Sequence, residues 1–101
     1  MTDHQSPTDV VLRLFGGIEA TAAACGMKPK SPYVWRRAVK GRAAGDLPSA
    51  NIMRKLLAHA RAHGIPLTPE HLIFGASEKE LALLVAFAAR RDAQSPEQVA
   101  A

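Results

Sequence analysis

Apolar residues recur along this chain with the period of a helix, and nowhere does a long apolar–polar alternation suggest a strand. Val10, Val11, Leu12, Leu14 and Phe15 form a short apolar run that Gly16-Gly17 stops, with Thr8 as the expected N-cap and Asp9 in the first turn. Ile18, Ala22 and Cys25 follow at i, i+4 and i+7, the inner face of a second helix that Gly26 ends. Pro29 disfavours helix through Lys28, so 27–30 reads as a turn. Ser31 as N-cap and Pro32 at N1 then predict a third helix over about 31–41, and 42–46 reads as a loop.

A fourth helix begins at Asp46 to Ser49 and runs to about His63, with Gly64 as its left-handed terminator and Ile52, Met53, Leu56, Leu57 and Ala60 as its buried arc. Ile65-Pro66-Leu67 reads as an extended connector. Thr68-Pro69-Glu70 opens a short turn of helix that Gly75 closes, and Ser77-Glu78-Lys79-Glu80 has the spacing of a capping box for a last helix to about Asp92. Residues 1–7 and 93–101 are expected to be loose. The organisation is therefore one all-α domain over 8–76 with an additional C-terminal helix over 77–92.

The third helix divides on a 3.6-residue wheel. Tyr33, Arg36, Arg37 and Lys40 share an arc of roughly 100°, and Val34, Trp35, Ala38 and Val39 lie opposite, with Trp35 expected in the core. The formal net charge of +4 is a weak sign of a polyanionic partner, but its distribution is more telling. Lys28, Lys30, Arg36, Arg37, Lys40 and Arg42 fall in one stretch that holds no acid. An apolar face that anchors a helix, backed by cations and a tyrosine, suits insertion into DNA.

The run LFGGIEATAAACGMKPKSPYVWRRA, then GDLPSANIMRKLLAHARAHGIPLTPEHLIFGA, resembles the small Cro/repressor-type (Xre-like) helix-turn-helix regulators of bacteria and prophages over roughly residues 10–75. The shared features are the Phe-Gly-Gly entry, the Ala22-xxx-Gly26 turn, the tryptophan late in the recognition helix, and the helix ending His-Gly-Ile. The resemblance implies a compact five-helix, lambda-repressor-like domain, usually homodimeric, that binds operator half-sites and controls transcription. It marks Lys30, Ser31, Tyr33, Arg36 and Arg37 for base edges, where a bidentate arginine–guanine pair contributes about 1–3 kcal/mol of discrimination. Lys28, Lys40 and Arg42 are then expected on phosphates. Two features depart from the family: Pro32 stands where a β-branched core residue is usual, and the exit RRAVKGRAAGD is long.

Other chemistry finds little support. There is no glycine-rich phosphate loop and no nucleophile constellation, so neither a catalytic site nor a cofactor is expected, and the chain does not read as an enzyme. His59 and His63 are i, i+4 on one helix but lack a third ligand, so no metal site is expected. Cys25 reads as a small buried apolar residue. A polar N-terminus and apolar runs far shorter than the roughly 18 residues of a membrane span lead to an expected cytoplasmic, nucleoid-associated protein with no membrane contact.

In the last helix Leu81, Leu84, Val85 and Ala88 form one apolar arc, while Leu83 and Phe87 lie on another side. Two apolar sides need two neighbours, and these six residues are the expected homodimer interface. The expected function is a sequence-specific, repressor-like transcriptional regulator that binds double-stranded DNA as a homodimer. A nucleoid-type architectural protein and a protein-interaction module, such as an antitoxin or regulatory adaptor, are the alternatives. With no room for a ligand domain, control through abundance or a regulatory protein partner is expected rather than small-molecule sensing.

Overall fold

A computed structural model describes residues 4–93, whose regular elements are helices apart from one ribbon of two-residue strands, an all-α class of fold. In chain order the elements are β1 (His4–Gln5), α1 (Pro7–Phe15), α2 (Ile18–Cys25), a 3-10 helix (Ser31–Arg36), α3 (Ala50–His63), α4 (Pro69–Phe74), β2 (Ala76–Ser77) and α5 (Glu78–Ala93). Helix α1 is central, touching α2, the 3-10 helix, α4 and α5. Its Val10 and Val11 are fully buried in a core shared with Trp35, Leu56, Leu72 and Leu81.

Glycines and capping side chains set most of the boundaries. Gly16, Gly26 and Gly64 adopt left-handed φ values just past α1, α2 and α3, where a side chain would be strained. Ser49 caps α3, accepting from the Ile52 amide at 3.2 Å, and Thr68 caps α4 with Pro69 at its first position. The cap of helix α1 lies two residues earlier than expected, at Ser6 rather than Thr8. Ser6 accepts from the Asp9 amide at 3.2 Å, and Pro7 takes the first position. Thr8 is fully buried, and its amide donates instead to the Gly45 carbonyl at 3.0 Å.

The capping box at α5 is half made. Ser77 Oγ accepts from the Glu80 amide at 3.1 Å, but the Glu80 carboxylate turns to buried His71, 3.2 Å from its Nε2. His71 Nδ1 already accepts from the Thr68 amide at 3.1 Å, so Nε2 carries the proton donated to Glu80. One imidazole thus joins the N-termini of α4 and α5.

The N-terminal leader is ordered from His4 on, contrary to the expected loose stretch over 1–7. His4 pairs with Ser77 and Gln5 with Ala76 in an antiparallel ribbon, and His4 Nε2 lies 2.6 Å from the Phe74 carbonyl. Residues 1–3, and all but Ala93 of the expected loose tail, lie outside the described residues.

The expected third helix is the main correction. Over 31–41 the chain makes six residues of 3-10 helix, then turns extended at Arg37 (φ −106°, ψ 146°). Lys30, not Ser31, occupies the cap position, and no side chain bonds there. The reason lies at Trp35. In a continued α-helix its carbonyl would accept from Val39; here it accepts from Gly45 at 2.8 Å, while Val39 and Arg42 pair with each other. Like charges at Arg36 and Lys40, and at Arg37 and Lys40, would also oppose an α-helix by a few tenths of a kcal/mol each. Three residues per turn put Pro32 and Trp35 on one inward ridge, and both are buried. Val34 and Val39, expected on the anchoring face, are exposed.

Trp35, 2% exposed, is the peg that seats this segment in the core, as its position predicted. Trp35→Ala should cost about 3–5 kcal/mol. Chemical denaturation would read this as a lower midpoint.

In α5, Leu81 is completely buried in the monomer core, which removes it from the expected dimer interface. Leu84 and Val85 are half-buried against the same core, Ala88 is half-buried, and Leu83 and Phe87 face outward.

Candidate nucleic-acid interface

The basic stretch is displayed by two devices. The first is the 3-10 helix, whose remaining ridges carry Tyr33 with Arg36 and Ser31 with Val34. The second is the reverse turn Val39-Lys40-Gly41-Arg42, closed by two backbone hydrogen bonds of 3.0 Å, with Gly41 at φ +82°. A glycine at the third position of such a turn is what type II geometry requires. Both devices hang from Trp35 and Gly45.

Of the eight expected DNA contacts, Lys28, Lys30, Tyr33, Arg36, Arg37 and Lys40 are exposed, and Ser31 and Arg42 are half-buried. The single 100° arc does not exist, because Tyr33 and Arg36 share one ridge while Arg37 and Lys40 lie beyond the helix. Arg42 folds back, its guanidinium donating to the Asp46 carbonyl at 3.0 Å. Lys40 occupies the turn tip.

Arg36 reaches an acid that local sequence patterns do not reveal. Its Nε lies 3.8 Å from Asp9 Oδ1, with both side chains more than a third exposed. Such a pair is screened by water and worth less than about 1 kcal/mol, so Arg36 can leave it for a stronger anion. Asp9, Arg13, Glu19, Arg36 and the Gly16-Gly17 backbone line an open groove of about 880 Å³. Arg13 and Glu19 were missed by the sequence reading. The i, i+4 spacing of Asp9 and Arg13 on α1 was the signal available for Arg13; nothing local ties Glu19 to the basic stretch. A smaller cleft of about 460 Å³ lies between Ile18, Glu19, Lys30, Tyr33 and Val34. The first turn of α2 thus borders the basic segment, and Gly17 provides no side-chain cap to its amides.

Two titratable groups are displaced. Burial pushes the Cys25 thiol up from its ordinary range, only partly opposed by the Lys55 ammonium, so it stays protonated and unreactive. His59 stacks on Phe15 and His63, with ring centroids 5.2 Å and 4.1 Å away. Burial, and secondarily the charge of His63, lowers its pKa below the ordinary 6.5. The unfolded chain then binds the proton more readily, so this contribution to stability is present above about pH 6.5 and fades as pH falls through the folded value. Thermal melts should show the midpoint falling between neutral and mildly acidic pH, and His59→Phe should reduce that fall.

No family model, curated protein or solved structure matches this chain. Among the described residues no three His, Cys, Asp or Glu side chains are grouped to hold a metal, and no helix is long and apolar enough to cross a membrane.

Proposed function

We propose that the protein is a sequence-specific regulator that binds double-stranded DNA as a homodimer, acting as a repressor-like helix-turn-helix domain with a shortened second helix. The observation that carries this reading is the stretch from Lys28 to Arg42, which bears six cations and no acid and has most of those cations exposed. Its charge exceeds the net charge of the whole chain, so the remainder is net acidic and attraction to a polyanion is concentrated at one place. In this reading Lys28 and Lys40 neutralise phosphates and set the register, while Lys30, Tyr33, Arg36 and Arg37 approach base edges. Arg36 exchanges Asp9 for DNA on binding. Ser31 and Arg42 serve mainly to shape the segment.

A specific reader is favoured over an architectural protein because the basic stretch is anchored by buried Trp35 and by the Gly45 hydrogen bonds, which hold the backbone that carries its cations. Selection of bound duplexes from a random library tests the proposal. The expected result is a sharp motif with two-fold symmetry, its half-sites about one helical turn apart. Enrichment without a motif would replace it with architectural binding. Retention of no duplex at all would leave the protein-interaction class, an antitoxin or adaptor.

A further inference from the structure

Glu19 stands beside the basic stretch, where an acid opposes attraction to a polyanion. It lines the large groove with Arg13 and Arg36, and the smaller cleft with Lys30. Its side chain is exposed, and among the described residues neither ion pair engages it. Asp9, the other acid of the large groove, is occupied by Arg36. An acid in the first turn of a helix complements the helix dipole, but that role has no use for apolar walls. Here they are present. Half-buried Ile18, with Tyr33 at 58% and Val34 at 39% exposure, completes the smaller cleft.

A surface offered to duplex DNA meets either phosphates or base edges. A carboxylate repels phosphate, so the cleft beside Glu19 suits a base edge. In the major groove guanine presents the acceptors O6 and N7, and thymine presents O4; a carboxylate repels all three. Adenine and cytosine each present an amine. Adenine carries the N7 lone pair next to it, whereas cytosine carries only C5–H. A carboxylate beside an apolar wall therefore selects cytosine among the four bases. Lys30 on the same cleft suits the partner guanine, whose acceptors lie next to the cytosine amine in the pair.

We propose that Glu19 is a specificity-determining residue that accepts from the N4 amine of one cytosine in each half-site, with Ile18, Tyr33 and Val34 packed on the C5 side of that base. This rests on the DNA reading above and names a base that it recognises. By repelling phosphates, the same carboxylate lowers affinity for unrelated duplex, which widens the gap between right and wrong sites.

Fluorescence anisotropy tests it on duplexes recovered by the selection. Each cytosine of one half-site is replaced in turn by uracil opposite adenine, which exchanges the amine for a carbonyl and adds no methyl. At one position the wild type should lose roughly 5- to 100-fold in affinity. Glu19→Gln should lose at least about fivefold less there, because an amide donates to a carbonyl as readily as it accepts from an amine. At the other positions the two proteins should discriminate alike, a pattern that a change in helix stability would not produce. Placing 5-methylcytosine at the sensitive position should tighten wild-type binding about threefold, as its methyl group enters the apolar cleft. Equal losses for both proteins at every cytosine overturn the inference and leave the DNA reading intact. So does a motif whose half-sites hold no cytosine, or a 5-methyl group that weakens binding at the sensitive position. A wild type that retains no duplex removes the DNA reading and this inference with it.

Discussion

Gly75→Ala should bring the protein close to unfolding, although it adds only one methyl group. Gly75 sits at φ +74°, ψ −151°, a region that residues with a β-carbon hardly visit, at a cost of about 1–3 kcal/mol. The new methyl would also collide with the Gln5 carbonyl. That carbonyl cannot easily retreat, because Gln5 is held by its pairing with Ala76 and by the Ser6 cap of α1 next in the chain. Strain and overpacking together should cost about 3–5 kcal/mol, a large share of the roughly 5–15 kcal/mol available to a domain. Calorimetry should record a melting point lower by roughly 15–30 °C. Gly26→Ala provides the control. Its φ is +68°, but nothing crowds the added methyl, so the loss should be only about 1–2 kcal/mol.

Reversing charge at Arg36 and Arg37 should remove most duplex binding while leaving the fold in place. Both side chains are exposed, and among the described residues the one ion pair of either is the weak contact from Arg36 to Asp9. Losing two base contacts at about 1–3 kcal/mol each corresponds to a fall of roughly 30-fold to 10⁴-fold in affinity. Each cation that contacted a phosphate should also reduce the slope of log affinity against log salt by about 0.9. Arg36→Glu places a carboxylate beside Asp9, so Arg37→Glu alone is the cleaner variant, and Asp9→Asn should act in the opposite direction by freeing Arg36. Fluorescence anisotropy on a selected duplex, over a series of salt concentrations, measures all four. An architectural protein would lose only part of its affinity, and a protein-interaction module would keep its partner binding intact.

Much of the fold could be read because its boundaries are set locally. Gly26, Gly64 and Gly75 stop helices wherever their neighbours lie, and Thr68-Pro69 starts one by the same local chemistry. Trp35 was legible as core from its place opposite the cations. What could not be read depends on partners distant in sequence. Nothing near Trp35 announces that its carbonyl will accept from Gly45, yet that bond ends the expected recognition helix at Arg36. The ribbon of His4–Gln5 with Ala76–Ser77 spans two residues per strand, too short for any alternation to register. The Glu80 side chain illustrates the same limit, since its spacing from Ser77 fits a capping box and only the fold brings His71 within reach. For the candidate interface, the cations and Tyr33 were visible as residue types, but their arc assumed 3.6 residues per turn where the chain takes three.

The most direct test of a DNA-binding segment at 28–42 is an NMR titration of the isotopically labelled protein with a selected duplex. The account predicts that amide and side-chain resonances of Lys28 to Lys40, with those of the first turn of α2, shift together in proportion to added DNA, while the core of α3 stays unmoved. Shifts centred on α5, or a spectrum unchanged by an equimolar duplex, would contradict it.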